Sequence, residues 1–369
     1  MRLLVLTLLL VLSAAAPANA VESAVRSAPT FNGTVHAVTY LRGTVYVGGA
    51  FTKAGWGGRS YERQRLAAFD GRTGALLDWA PPADGTVRAL AATPGAVYAA
   101  GGFHRVAGEK RDSIARIDPV TGTVTSFQHQ ITGTPYALAI GNGRLYLGGS
   151  FTAVSGRALR NLAAFTLATG RLDTGWRAGA DDRVHTLAIS GGQVFLGGAF
   201  REVNDDRRSV RLAAVDGNTG VLDRYFRPKV AAEVNAVTVN DTGVYAATGG
   251  QGGRAVAYTL DGTIRWQRVF DGDATAITTV GGVAYVGGHF DRVCLTTRNG
   301  AQGACLDGSA PRVKLAAVTG DGRLTDWNPE ANGVIGVRVL STDPAGGPLD
   351  AGGDFTMIGG LERHRFARF

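Results

Sequence analysis

The side chains best suited to chemistry in this 369-residue chain are polar residues that recur inside apolar stretches. Each follows the first apolar residue of an alternating run, as in Val35-His36-Ala37-Val38. Imidazole and phenol groups can transfer protons, and a guanidinium group binds anions. Such residues would suit either a binding site or an acid–base centre. Read along the chain, this position is occupied by His36, Arg88, Tyr136, His185, Asn235, Thr275 and Gly336, of which all but the glycine can donate a hydrogen bond from a side chain.

Familiar catalytic motifs do not accompany this set. The six histidines include no His-Glu-x-x-His metal motif, and no Gly-x-Ser-x-Gly nucleophile turn occurs. The acidic pairs Asp181-Asp182 and Asp205-Asp206 are neighbours in sequence, which rarely act as a general acid and base on one substrate. The sequence therefore predicts no catalytic residue, no metal site and no cofactor, and it leans against an enzyme.

The two cysteines, Cys294 and Cys305, lie eleven residues apart in a polar, glycine-rich stretch. In an oxidising compartment this spacing favours a local disulfide. The pair falls inside an extra segment, 291–312, that the corresponding parts of the chain lack. A pair of free thiols is the alternative.

The first twenty residues have the pattern of a secretory signal. Arg2 precedes an apolar stretch that ends in Ala18-Asn19-Ala20, a small-x-small cleavage site. The apolar part is too short to span a bilayer comfortably. We therefore expect 1–20 to be a signal peptide, and 21–369 to be secreted and to contain no membrane span.

The composition favours a folded, basic protein. Glycine contributes 54 residues, 45% of the chain is apolar, and 38 basic residues outnumber 30 acidic ones. Such a chain can bury a large core, which excludes a disordered chain. A positive net charge favours anionic partners. An exported chain without a recognition motif is not expected to bind nucleic acid.

The polar residues belong to a unit that repeats about every 51 residues. The run Val45-Tyr46-Val47-Gly48-Gly49-Ala50-Phe51 returns five times around a phenylalanine and once in degenerate form near Gly250. A run like Leu66-Ala67-Ala68-Phe69 follows, then a glycine turn and an aromatic residue. All these runs are short and bounded by turn residues, which predicts strands. Seven units of four strands predict an all-β chain, a single seven-bladed β-propeller with four-stranded antiparallel blades.

The two ends of the chain complement one another. The last unit stops after its third strand, and the segment 28–33 is similar to 328–333, which precedes that unit. We therefore expect the N-terminal strand, within 21–33, to complete blade seven and leave no open sheet edge.

These motifs resemble the delta-60 repeat family of exported bacterial proteins, whose repeats contain Val-Tyr-x-Gly-Gly-x-Phe followed by Leu-Ala-Ala-x-Asp-x-x-Thr-Gly. The similarity covers 21–369, although the fifth unit lacks the phenylalanine. The family offers no catalytic residue to transfer. The run with Asp70, Thr73, Gly74 and Trp79 also looks like the blade-docking motif of quinoprotein propellers, and the glycine pairs are similar to those of kelch repeats.

The long connections between the second and third strands should project from one face of the propeller. Six of these segments contain 19 basic and 9 acidic residues. They suggest either an anion-binding face or a solvated arginine fringe, and the polar ring above suggests either a binding mouth or a water-filled channel. The candidate loop residues are Trp56, Arg59, Arg111, Arg160 and Arg208.

The sequence as a whole predicts an exported, non-catalytic binding or interaction propeller that acts as a monomer. Its expected partner is an anionic polysaccharide, a cell-envelope component or another exported protein. The alternative is a quinoprotein-like or lyase-type enzyme with His36, His185 and Tyr136 at the channel mouth. Only that alternative would need a quinone cofactor.

Overall fold

A computed structural model describes residues 21–369 of the chain. Over this range the fold is all-β, and its one helical element is a 3₁₀ turn, Ala301–Gly303. None of the helices in this range is long and apolar enough to cross a membrane. The predicted signal peptide, 1–20, lies outside the described residues.

Seven antiparallel sheets, numbered 1 to 7 along the chain, share one plan of inner, middle and third strand. The inner strands are Val35–Leu41, Val87–Thr93, Ile131–Gly141, Val184–Ser190, Val234–Asn240, Ala274–Val280 and Val337–Thr342. The middle strands are Thr44–Gly49, Ala96–Gly101, Arg144–Val154, Gln193–Gly198, Gly243–Thr248, Val283–Gly288 and Leu349–Gly353. The third strands are Leu66–Asp70, Ile114–Ile117, Leu162–Thr166, Leu212–Asp216, Arg254–Tyr258, Leu315–Val318 and Phe366–Arg368.

The predicted fourth strand is regular only in sheet 5, where Ile264–Val269 pairs with the third strand. In the other sheets the outermost segment touches the third strand through single bridges, such as Phe69 to Leu76. In sheet 1 the outer segment adds one hydrogen bond to this bridge, from the Leu77 N–H to the Ala68 carbonyl at 2.9 Å. The prediction of four full strands in every blade was therefore wrong for most sheets.

Neighbouring sheets pack closely through their inner edges. Each inner strand contacts the next one along the chain, and the first contacts the last. The first glycine of the repeated pair permits this approach, because a Cβ on Gly48 would lie 2.6 Å from Cγ1 of Val87 in sheet 2. Likewise, a Cβ on Gly352 of sheet 7 would lie 2.5 Å from Cγ1 of Val35 in sheet 1. Glycine at these positions therefore serves sheet-to-sheet packing.

Aromatic residues after the third strand fasten one sheet to the next. The Trp79 ring meets Tyr46 edge-on at 4.9 Å, and its Nε1–H donates to the Asp118 carbonyl of sheet 2 at 2.9 Å. Trp176 donates in the same way to Asp216 at 3.2 Å. A buried indole needs such a partner for its N–H, and here the partner belongs to the adjacent sheet.

The N-terminal segment lies along sheet 7 and then sheet 1. The Arg26 N–H donates to the Arg368 carbonyl at 2.7 Å, the same bond that Leu77 makes to Ala68 in sheet 1. Further along, Thr30–Phe31 pairs with the hairpin strand Lys53–Trp56. The outer-edge position of sheet 7 is thus occupied at Arg26.

The connections from middle to third strand form a cluster that we call the loop face. In a four-segment antiparallel unit these connections and those leading into each inner strand lie at the same end. Most contain short hairpins. Their strands are Lys53–Trp56 with Arg59–Glu62, Arg105–Val106 with Glu109–Lys110, Arg157–Ala158 with the end of the third middle strand, Arg292–Cys294 with Ser309–Pro311, and Met357–Ile358 with Leu361–Glu362.

The extra segment in sheet 6 is closed by a disulfide. Cys294 and Cys305 are bonded, with their Cα atoms 5.1 Å apart. The disulfide predicted from sequence is confirmed.

Candidate functional site

Six of the seven positions singled out by the sequence share one backbone feature. Each inner strand has a β-bulge near its first residue, and the skipped residue is the polar one, as at His36 between Val35 and Ala37. A bulge leaves one residue out of the ladder and re-aims its side chain. The bulged residues are His36, Arg88, Tyr136, His185, Asn235, Thr275 and Arg338. We call them the bulge ring.

Sheet 7 contributes Arg338 to the bulge ring, and the assignment of Gly336 from sequence was wrong. The bulge lies between Val337 and Val339, so Arg338 corresponds to His36. Gly336 instead precedes the strand with a positive φ of 71°. Aligning Val337-Arg338-Val339-Leu340 with the run around His36 would have found the arginine.

A glycine lies opposite the bulge in every sheet but the fifth, where Thr248 takes this place. A Cβ on Gly49 would lie 2.2 Å from the Thr34 carbonyl oxygen, and one on Gly101 would lie 2.1 Å from that of Thr86. Both carbonyls immediately precede an inner strand. In the Gly48-Gly49 pair the first glycine therefore faces the next sheet and the second faces the bulge, whereas in sheet 2 Ala100 and Gly101 take these two places.

One side of the bulge ring is an Arg–His–Arg arc. His36 of sheet 1 is half-buried, and the exposed side chains of Arg338 and Arg88 flank it in sheets 7 and 2. Burial and the positive charges of both arginines lower the pKa of His36 to about 4. The histidine is therefore neutral at pH 7 while both neighbours are charged.

This environment makes stability depend on pH. The pKa of His36 lies near 4 in the folded protein and near 6.5 when unfolded, so the unfolded chain binds the extra proton between these values. Stability is retained above pH 6.5 and decreases as the pH falls toward 4. We expect His36→Gln to reduce this loss, measured by urea unfolding at pH 7 and pH 5. The matched control is His104→Gln at an exposed loop histidine, and an equal loss in both variants would contradict the assignment.

The arc continues into a second group of side chains. The Arg88 guanidinium lies over the Tyr136 ring, 5.6 Å from its centroid, and that ring lies 5.6 Å from the His185 ring. His185 Nε2 hydrogen-bonds the Glu233 carboxylate. The Glu233 Oε1 atom also lies 3.9 Å from Nη2 of Arg183. A histidine oriented by a carboxylate beside a phenol is an arrangement that can transfer protons.

The two remaining members of the bulge ring, Asn235 and Thr275, are hydrogen-bonded to backbone carbonyls. Asn235 Nδ2 donates to the Ala274 carbonyl at 2.9 Å, and Thr275 Oγ1 donates to the Val337 carbonyl at 2.5 Å. Both acceptors lie in the inner strand of the following sheet. These two side chains thus join neighbouring sheets around the ring.

The loop face is built differently at sheet 5. Its connection from middle to third strand is short, spanning 249–253, and it lacks both the phenylalanine and the hairpin of other sheets. A Cβ on Gly249 would lie 3.2 Å from Asp273 Oδ1 and 3.3 Å from Asn235 Nδ2. The extra segment of sheet 6 packs against this short connection, since Asn299 Nδ2 donates to the Gln251 carbonyl and a Cβ on Gly252 would lie 3.2 Å from the Gly303 Cα.

The predicted loop arginines have different environments. Arg59 is exposed on a hairpin, paired in register with the half-buried Trp56. Arg160 is exposed and lies 2.9 Å from Asp205, and exposed Arg208 lies 2.6 Å from Asp206. These surface pairs leave part of each guanidinium in solvent.

Arg111 is 7% exposed and serves its own sheet. Its guanidinium donates to the carbonyls of Lys110 and Thr125, both at 2.6 Å. Arg63 and Arg312 make the equivalent bonds to Leu77 and Thr325. These arginines hold the irregular outer segments against the loops. Among them, Arg111 is the one that the sequence suggested as a ligand-binding candidate.

The acidic pairs are also used within the loops. Asp181 Oδ1 accepts the backbone N–H groups of Arg201 and Glu202 at 2.8 and 2.9 Å. Asp205 and Asp206 pair with arginines as above. Within residues 21–369, no group of three or more His, Cys, Asp or Glu side chains is placed to hold a metal ion.

A separate cavity of about 750 Å³ lies between sheets 3 and 4 on the outer side of the loop face. Its walls include Phe151, Arg160, Asp173 and Trp176. A smaller cavity of about 610 Å³ lies at the opposite end of the inner strands, near Asn240 and Thr278. Neither cavity is lined by the bulge ring.

No protein-family model and no curated protein matches this chain. Among solved structures it is similar to the WD40 β-propeller domain of Doa1, with a TM-score of 0.56 and 11% identity over 93% of this chain and 95% of that one. It is also similar to the computationally designed Ika8 protein, with a TM-score of 0.50 and 14% identity over 93% of this chain and 98% of that one. At such identities the likeness shows the fold alone, which is a β-propeller.

Proposed function

We propose that this chain is an exported, monomeric binding propeller that recognises an anionic glycan or cell-envelope ligand on its loop face. The observation that carries the proposal is the bulge ring, in which every inner strand aims one side chain out of its ladder beside basic loops. β-Bulges are common next to functional sites because they re-aim side chains. A convergent polar ring in a propeller mouth suits ligand binding.

The finer architecture belongs to the same proposal. We infer a closed ring of seven blades of the delta-60 repeat type, completed by the N-terminal segment in blade seven. Support comes from the contact of the first inner strand with the last, the packing of Gly352 against Val35, and the Arg26 to Arg368 hydrogen bond. Export through a signal peptide at 1–20 is consistent with the Cys294–Cys305 disulfide.

The charge of the loop face gives a direct test. Binding to a polyuronate measured by calorimetry should weaken about tenfold or more between 0.05 and 0.3 M salt, because exposed charges are screened. Combined Arg59→Gln, Arg160→Gln and Arg208→Gln substitutions should weaken it further. Combined Arg42→Gln, Arg72→Gln and Arg171→Gln substitutions, on turns at the opposite end, should not. Binding that is insensitive to salt would overturn the electrostatic proposal.

A second candidate function rests on the His185–Glu233 contact. A carboxylate that orients a histidine 5.6 Å from the Tyr136 ring resembles an acid–base centre. In this alternative the chain is a lyase-type or quinoprotein-like enzyme, the latter with a quinone. Turnover of an acidic oligosaccharide that His185→Ala abolishes would favour it, and binding without turnover would favour the first proposal.

A further inference from the structure

We propose that Arg338, His36 and Arg88 form a subsite for a single oxyanion group, a carboxylate, sulfate or phosphate carried by the ligand. This inference rests on the proposed binding function and deepens it. It concerns three adjacent members of the bulge ring in sheets 7, 1 and 2. Arg338 joins the subsite only because sheet 7 packs directly against sheet 1.

The first support is placement. The inner strands of sheets 7, 1 and 2 contact one another in that order. The three residues occupy the same bulge position on these strands, so their side chains leave the ladders at one level. Arg338 and Arg88 therefore lie on the two strands that flank the His36 strand, and the Arg88 guanidinium lies over the Tyr136 ring.

The second support is charge without a partner. Both arginines are exposed, and within residues 21–369 neither guanidinium has a carboxylate within ion-pair distance. Three other arginines of the loop face differ in this respect, since Arg160, Arg183 and Arg208 each lie beside an Asp or Glu. Two like charges held near each other cost free energy, and an anion between them would remove that cost.

The third support is the type of donor. A guanidinium presents paired N–H groups that match the two oxygens of a carboxylate, sulfate or phosphate. His36 lies between the arginines and is neutral at pH 7, so one ring nitrogen can donate a hydrogen bond to the anion. The arc therefore offers three adjacent hydrogen-bond donors, Arg338, His36 and Arg88, and none of them carries a negative charge.

The experiment uses the full chain 21–369 with sodium sulfate, sodium phosphate and sodium glucuronate as probes at low ionic strength. Calorimetry measures affinity, and NMR follows the His36 ring. We expect at least one probe to bind and to raise the pKa of His36, because a nearby negative charge favours the imidazolium form. Comparing the three probes tells a uronate from a sulfate or phosphate ligand.

Arg88→Gln and Arg338→Gln should each weaken binding of that probe about tenfold or more, whereas Arg72→Gln at the opposite end should not. All three residues are exposed, so the variants should fold, which their unfolding curves check. The subsite is wrong if no probe binds, if the His36 pKa does not move, or if Arg72→Gln has an equal effect. If the double variant Arg88→Gln/Arg338→Gln still binds a polyuronate with salt dependence, the proposed function stands and the subsite alone fails.

Discussion

Asp350→Ala is expected to lower the free energy of unfolding by about 3–5 kcal/mol, the cost of leaving a buried charge without its partner. Asp350 is fully buried, and Arg368 is 3% exposed. Arg368 donates from Nε and Nη2 to the two carboxylate oxygens, both at 2.7 Å. The Tyr40 hydroxyl donates to the same carboxylate at 2.9 Å. With alanine at position 350, the Arg368 guanidinium would remain buried without a carboxylate partner. Chemical denaturation at pH 7 measures the change.

The matched control is Glu62→Ala, which breaks the pair with Lys53 on the surface. Exposed pairs contribute about 0–1 kcal/mol, so this variant should be almost as stable as the parent. A double variant, Asp350→Leu with Arg368→Met, should recover much of the loss because it removes both charges. An Asp350→Ala protein no less stable than the Glu62→Ala protein would contradict the prediction.

This buried pair marks the interface between the last sheet and the first. By strand register Asp350 takes the position of Tyr46, and Arg368 takes that of Ala68. Elsewhere the tyrosine packs against a tryptophan of its own sheet and reaches the next sheet. Here the ion pair meets Tyr40 of sheet 1, and the Arg368 guanidinium lies 4.9 Å from the Phe69 ring centroid. We infer that replacing the tyrosine and alanine of sheet 1 with Asp350 and Arg368 makes the interface between sheets 7 and 1 chemically different from the others. This difference would favour correct pairing of the two chain ends.

The sequence was sufficient to predict the repeated strands, since each is a short apolar run between turn residues. It also placed the polar position correctly in six inner strands, because the run after that position is apolar each time. The disulfide followed from two cysteines in one loop. These features depend on local pattern, which a repeat displays several times.

The sequence was not sufficient where a side chain's partner lies elsewhere in the chain. Arg111 and Arg59 are both loop arginines in sequence, yet Arg111 is buried and donates to the Thr125 carbonyl whereas Arg59 is exposed. Arg338 was missed because the loop before it is irregular and shifted the alignment by two residues. The bulges and the absence of full fourth strands depend on backbone contacts that no residue type reports.

A large effect on the backbone is expected at Gly101, which lies opposite the bulge of sheet 2 as Gly49 does in sheet 1. A Cβ there would lie 2.1 Å from the Thr86 carbonyl oxygen and 3.0 Å from the Arg88 amide nitrogen. Both atoms are backbone, so neither can rotate away, and the bulge at Arg88 must shift. We expect Gly101→Ala to cost about 1–3 kcal/mol or more in the free energy of unfolding.

The neighbouring glycine supplies the control, because a Cβ on Gly102 would meet nothing within 4 Å and its φ is not positive. Gly102→Ala should therefore change stability by less than about 0.5 kcal/mol. The same amino-acid change one residue apart separates loss of the bulge from general loss of glycine flexibility. If both variants lose stability equally, the bulge does not need its glycine. If Gly101→Ala alone is destabilised and NMR shows that the Arg88 guanidinium has left the Tyr136 ring, then Gly101 is what positions Arg88 in the bulge ring.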